Sequence, residues 1–388
     1  MRKTITIGEL GTIITGKTPP TTNKNYYGDY AVFIKPTDIS EQSKYTYETE
    51  EMYSKLAAEK YESSQIPQGA ICVPCIGTIG TKMTMAPCDC YTNQSINSIV
   101  CNEYYDNEYV YYLIKNFLPG LKAYNLGTAS GREYVSKSNF EKIELVAEQD
   151  KTIQKKIGEL LSRYDTLIEN YQKQIKLLEE AAQRLYKEWF VDLHFPGHET
   201  TKIVDGIPEG WEKMPVDSIY SIRYGKNLST KLITSEGKYP VYGANGVIGY
   251  YDKFNCSEQV VLITSRGNGS GDVLMTYHKD AFITNNSFIV SPLKDYSYCQ
   301  VPFTYLFLKN AHFRAVRTGA AQPQLTNQSI HTVDVVLPSK VIIIEYCDKV
   351  SNSNKKIIVL RNQIRLLTEA RNRLLPKLMS GEIQVKKK

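Results

Sequence analysis

QIKLLEEAAQRL, Gln174 to Leu185, is met again as QIRLLTEARNRL, Gln363 to Leu374, with eight of the twelve positions identical. A repeat of that quality inside one chain means that one structural unit is used twice. The same offset, within a residue, persists upstream, where VSKSNFEKIELV from Val135 lines up with LTNQSIHTVDVV from Leu325. GAICVPCIGTIG, Gly69 to Gly80, lines up with QVVLITSRGNGSG, Gln259 to Gly271, each an apolar strand running into a Gly-rich turn. The beginnings also agree, IGELGTIITGK from Ile7 with VDSIYSIRYGK from Val216, at a longer offset that different loop lengths absorb.

Each copy reads as a mixed α/β module followed by one long helix. The expected division is residues 1–147 for the first module, 148–192 for a helical spacer, 207–339 for the second module and 340–385 for a second helical spacer. Strands are predicted at AVFIKP near Val32, AICVPC near Ile71 and INSIV near Ile96. In the second module, which opens at IPEGW after the Pro/Gly-containing link HFPGHE, they are predicted at QVVLITS near Val261 and AFITNNSFIV near Ile289.

The helices carry the strongest periodicity. Ile157, Leu161, Tyr164, Ile168, Tyr171, Ile175, Leu178, Ala182 and Leu185 keep a 4-3-4-3 spacing, which places them on one heptad seam. Val350, Ile357, Leu360, Ile364, Leu367 and Leu374 form the matching seam, interrupted at Ser353 and Arg371. The two seams are expected to pair as an antiparallel coiled coil that relates the modules by a pseudo-two-fold axis. A spacer of some forty residues would extend roughly 60 Å at 1.5 Å per residue, longer than the ~34 Å turn of B-DNA.

Composition narrows the class. A chain of 388 residues predicts two or three domains, and 42% apolar with 23% charged residues is ordinary for a globular protein. There is no apolar run of the roughly 20 residues that a membrane span needs. The opening MRKTITIGELGTI has no long apolar stretch and no small-residue cleavage site, so the expected compartment is the cytoplasm and the eight cysteines are expected as thiols. The net charge of +6 is concentrated at the end of the chain, where Lys340 to Lys388 holds twelve Lys/Arg against four Asp/Glu. Such a balance permits a nucleic-acid partner without requiring one.

Three motifs suggest chemistry and fail on context. GTIITGKT, Gly11 to Thr18, matches the phosphate-binding pattern G-x4-G-K-[ST]. That loop needs a helix starting at its lysine, and Pro19 and Pro20 oppose one. RGNGSGD, Arg266 to Asp272, lacks dinucleotide-binding spacing and reads as a strand-to-strand turn, still able to present amides and Arg266 to a phosphate. Cys72, Cys75, Cys88 and Cys90 have zinc-like spacing, but Leu262 and Ser265 replace the first pair in the second copy, so no metal site is expected. The [DN]-P-P-[FYW] loop of amino-methyltransferases is absent, and the five histidines are scattered singly.

Two modules each followed by a related helix, with LEEAAQRLYKEWFVDLHFPGHE at Leu178–Glu199, IPEGW at Ile207–Trp211 and LLPKLMSGEI at Leu374–Ile383, resemble the specificity subunits of Type I restriction–modification systems. The resemblance spans essentially the whole chain. It implies that each module is a target recognition domain for half of a split double-stranded DNA site. It implies that the helices are a spacer and a docking surface for two modification subunits, with restriction/translocase subunits joining the assembly. No cofactor is then expected in this chain; S-adenosylmethionine, ATP and Mg would sit on partners. Alternatives are a stand-alone repeat DNA-binding protein, or the specificity part of a related enzyme outside Type I. Candidate DNA contacts are polar or basic residues in the turns: Lys17 and Lys226, Arg132 and Arg317, Arg266, Asn268, Gln322 and Gln324.

Overall fold

The computed structural model describes residues 2–77, 79–127, 133–319 and 322–385. It divides into two compact units, residues 1–171 with 363–388, and residues 172–362.

In the first unit a four-stranded antiparallel sheet has the order Gly11–Thr15, Ile96–Cys101, Ile71–Pro74, Thr84–Met85. Ile71–Pro74 is buried along its whole length, which is why it reads as an unbroken apolar run. Its side chains alternate between two cores. Ile71 and Val73 enter a large cluster with Tyr109, Val110 and Leu113 of the helix Asn107–Phe117. Cys72 enters a smaller one with Ile34, Ile66 and Cys90. A two-stranded ribbon, Arg2–Thr6 against Glu144–Glu148, closes the module.

The second unit repeats this plan. Its sheet order is Tyr220–Tyr224, Ser287–Pro292, Val261–Thr264, Val273–Met275, strand for strand the same. Val261 and Ile263 face Phe303 and Phe307 of the helix Val301–Lys309, while Leu262 joins Tyr242 and Ile283 on the opposite side. The closing ribbon is Glu212–Pro215 against Asp334–Leu337. The stretch expected as a single strand, AFITNNSFIV, is two strands, Phe282–Ile283 and Ser287–Pro292. Thr284, Asn285 and Asn286 turn the chain between them, so Ile283 pairs with Tyr242 in a second sheet and Phe288 with Ile263 in the first.

The central helix runs Lys151–Tyr186 and the C-terminal helix Lys340–Ser380. Asp150 starts the first, its Oδ1 accepting from the amides of Thr152 at 2.9 Å and Ile153 at 3.3 Å. It ends in one π-helical turn, Lys187–Val191. Gly381, at φ +83°, takes the left-handed conformation that ends the second. In the first unit Ile157 and Leu161 share a core with Leu375, Leu378 and Met379, and Asp165 pairs with Arg371. In the second, Arg361 pairs with Glu179 at 2.9 Å and the Tyr346 hydroxyl donates to the Ala182 carbonyl at 3.1 Å. Within each unit, later residues of one helix meet earlier residues of the other, so the segments run antiparallel. Ile157, Leu161, Ile168, Ile175, Val350, Ile357 and Leu360 are buried; Leu178, Leu185, Ile364, Leu367 and Leu374 are half-buried. Among the described residues no helix is long and apolar enough to cross a membrane.

Candidate nucleic-acid interface

The Gly-rich turn of the second unit joins Val261–Thr264 to Val273–Met275, and its glycines shape it. Gly267 and Gly271 have φ of +83° and +86°, a region that residues with a β-carbon avoid. The turn is fastened to the segment 317–325. The Gly267 amide donates to the Pro323 carbonyl at 3.0 Å and the Leu325 amide to the Ser265 carbonyl at 2.8 Å. Arg266 lies opposite Gln324 in an antiparallel bridge, and Gln324 in turn opposite Thr318. Arg317 donates from Nη1 to the Asn268 carbonyl at 3.4 Å and from Nε to the Arg314 carbonyl at 2.9 Å.

Lys226 belongs to the same frame. Its amide donates to the Ile283 carbonyl at 3.0 Å, and its carbonyl accepts from Asn285 at 3.0 Å. The Ser265 amide donates to the Asn286 carbonyl at 2.8 Å. Lys226, the Asn285–Asn286 turn and Arg266 therefore lie along one line of hydrogen bonds. Of the candidates in this module, Lys226, Arg266, Asn268, Gln322 and Gln324 are exposed and Arg317 is half-buried. The structure gathers Arg266, Asn268, Arg317 and Gln324 around one turn.

The first unit has the equivalent frame. The Gly77 amide donates to Glu133 at 2.9 Å, Val135 to Cys75 at 2.8 Å and Cys75 to Ser95 at 2.7 Å; the Lys17 amide donates to Thr92 at 2.9 Å. Lys17 is exposed on the edge of this frame. Arg132 lies outside the described residues. Where the second unit has Pro323, the first has Glu133, whose carboxylate accepts from the Ile79 amide at 3.2 Å. The turns thus carry different side chains on a shared scaffold.

The Gly-Lys pairs find their explanation in packing. A β-carbon on Gly16 would collide with the Thr92 carbonyl oxygen, and one on Gly225 with that of Thr284. Gly11–Thr15 is a strand of the main sheet, and the next helical residues after it are the single turn Lys24–Tyr26. Among the described residues no helix starts at Lys17, where the phosphate-binding loop would place its array of N-terminal amides. The cysteines diverge in a similar way. Cys72 and Cys90 sit in one core, Cys75 in the other, and Cys88 is exposed. Burial pushes the Cys72 and Cys75 thiols up to about 12.

Sequence reasoning missed Asn285, Asn286 and Arg314. The signal was present in the paired TNQSI, Thr92–Ile96, and TNNSF, Thr284–Phe288, which turn beside the two lysines. Arg314 holds the far side of the Gly-rich turn through Asp272 at 2.6 Å, a contact between distant segments that no local pattern announces. Amides and guanidinium groups on exposed turns suit phosphate positioning and base-edge readout. Among the described residues no three His, Cys, Asp or Glu side chains converge as a metal site would require.

The profile of the family described as Type I restriction modification DNA specificity domain matches residues 2–180 and again 208–364. The chain is 26% identical over 406 residues to the Type I restriction enzyme MjaIX specificity subunit of Methanocaldococcus jannaschii, covering 98% of this chain and 93% of that protein. It is 35% identical over 164 residues to the HindI specificity subunit of Haemophilus influenzae, covering 40% of this chain and 35% of the relative. The crystal structure of a Type I restriction-modification system S subunit from M. genitalium superposes with a TM-score of 0.58 at 18% identity, over 100% of this chain and 97% of that one, which shows the same fold.

Proposed function

Because the chain belongs to the Type I restriction–modification DNA specificity family, we propose that its two modules each read one half of a split, asymmetric double-stranded DNA target. The chain is a DNA-specificity subunit, and its own part in the reaction is recognition. The observation that supports the bipartite reading is the duplicated frame. The same strand order and equivalent hydrogen bonds carry different side chains at the turns: the bridge Arg266–Gln324 of the second module stands where the first has Ile76–Tyr134. Different readers on one scaffold read different sequences, so the target is not a palindrome.

In this reading Lys17, Lys226, Arg266 and Arg317 position the phosphate backbone, and Asn268, Gln322, Gln324 and Arg132 supply base-edge donors and acceptors. The module boundaries are 1–147 and 207–339, with the helical spacers 148–192 and 340–385 between and after them. The helices dock two modification subunits, and restriction/translocase subunits complete the assembly in the cytoplasm. Methyl transfer from S-adenosylmethionine and ATP- and Mg-dependent cleavage belong to those partners.

Replacing Met1–Ala147 by the equivalent module of a relative tests this. Methylome sequencing of a host carrying the swapped gene with its partners is expected to show one half-site changed, and the other half and the spacer intact. A change in both halves together, or one continuous target, would overturn the bipartite reading.

A further inference from the structure

In the second module Tyr239–Gly243 pairs with Gly246–Tyr251, and the register slips within the hairpin: Val241 faces Gly249, whereas Tyr242 faces Val247. Ile248 is therefore the extra residue of a β-bulge, a device that re-aims a side chain. Glycines make room for it. Gly246 and Gly249 have φ of +106° and +148°. Beneath Ile248 lies Gly243, where a β-carbon would come within 2.9 Å of the isoleucine Cγ2. The bulge leaves Val247 and Ile248 45% and 49% exposed, although both are among the residues that most readily bury themselves.

The hairpin stands beside the Gly-rich turn. The Thr264 hydroxyl donates to the Ala244 carbonyl at 2.6 Å. The Asn245 side-chain oxygen lies 3.1 Å from where a β-carbon of Gly269 would be. The exposed isoleucine thus stands on a hairpin whose Ala244 and Asn245 meet the turn that carries Arg266 and Asn268, and the acid of that turn, Asp272, is already neutralised by Arg314. In the first module the corresponding strand Ala31–Ile34 is followed by turns, not by such a hairpin, among the described residues.

We propose that Ile248 is a specificity-determining residue of the second module, making apolar contact with the 5-methyl group of a thymine in the major groove of the target. The proposal rests on the reading of this module as a DNA reader. The flanking chemistry selects the occupant. Guanidinium and amide groups match phosphates and major-groove base edges, and thymine is the base that offers an apolar group there. The cationic and amide surround complements a polyanion and its base edges, which favours DNA over a protein as the occupant.

The test uses the full chain assembled with its modification subunits to select from randomised DNA duplexes. One library contains thymine; the other has 2′-deoxyuridine in its place, which removes only the methyl group. With the native chain, preference for thymine at one position of the second module's half-site is expected to fall roughly four-fold in the deoxyuridine library, as for one lost buried methyl. Ile248→Ala is expected to cause the same fall in the thymine library and none further with deoxyuridine, while Ile248→Val keeps the preference. An unchanged preference at every position with Ile248→Ala overturns the proposal. So does a uniform loss with both libraries accompanied by straightened DNA, the behaviour of a minor-groove wedge. If the native chain enriches no sequence at all, the DNA-reading function itself falls, and this inference with it.

Discussion

Arg371 enters the sequence as a break in an apolar seam, and in the structure it is 7% exposed and ion-paired with Asp165, itself 4% exposed. The Tyr112 hydroxyl donates to the other Asp165 oxygen at 2.5 Å, and burial pushes that phenol upward, so it stays a donor. The carboxylate is thereby satisfied on both sides, which a buried charge requires. Such a pair contributes little net stability against an apolar pair of the same volume, but losing one member leaves a bare charge in the core. Arg371→Ala is expected to cost about 3–5 kcal/mol in denaturant unfolding. The double change Arg371→Met with Asp165→Leu is expected to recover most of that loss. Equal losses in the single and double variants would show that packing, and not the buried charge, dominates at this crossing.

At the scale of elements, the long helices and the main-sheet strands were legible because each has a periodicity of its own. Ile71–Pro74 and Val261–Thr264 read as apolar runs since both their faces are covered. The hairpin at Ile248 was not legible, because its glycines look like loop and its bulge breaks the alternation. The helix seam was legible in phase but not in depth. Gln154 is fully buried because its side chain bridges the Glu148 carbonyl at 2.8 Å and the Asp106 amide at 2.9 Å, a partnership with the module that no heptad reveals. Depth decides the outcome of a charge on the seam. Ile175 is 6% exposed and Ile364 half-buried. Ile175→Asp is expected to lower stability by roughly 3 kcal/mol, and Ile364→Asp by clearly less, as read by thermal and denaturant melts. Equal effects would contradict this ranking of depth. Of the candidate site, the Gly-rich turn was visible in composition. Its fastening to residues 317–325 was not, since that depends on pairing between remote segments.

At the scale of the whole molecule, the repeat in the sequence places the boundary after each helix, whereas compactness divides the chain within the helices. The first unit is completed by residues 363–388. Leu375, Leu378 and Met379 fill the core that holds Ile157 and Leu161, and Arg2 donates from its guanidinium to the Leu378 carbonyl at 2.8 Å. Deleting residues 363–388 is therefore expected to open the first unit while leaving the second folded. Limited proteolysis checks this: early cuts should fall within residues 1–171 and spare 172–362. Uniform resistance in both units, or collapse of both at once, would contradict it.

The same feature bears on how the protein is made. The second unit is one uninterrupted stretch, residues 172–362, and has everything it needs once that stretch has left the ribosome. The first unit starts earlier and finishes later, because the apolar residues that cover Ile157 and Leu161 are translated after the whole of the second. Domains ordinarily fold in the order of their synthesis; here the module born first matures last. Closing so long an intervening segment adds little entropy cost beyond that of a shorter one. The exposure in time is the greater burden. Until residues 375–379 arrive, the nascent first module carries an uncovered apolar face, and that interval is when chaperones or a waiting partner subunit would have the most to protect.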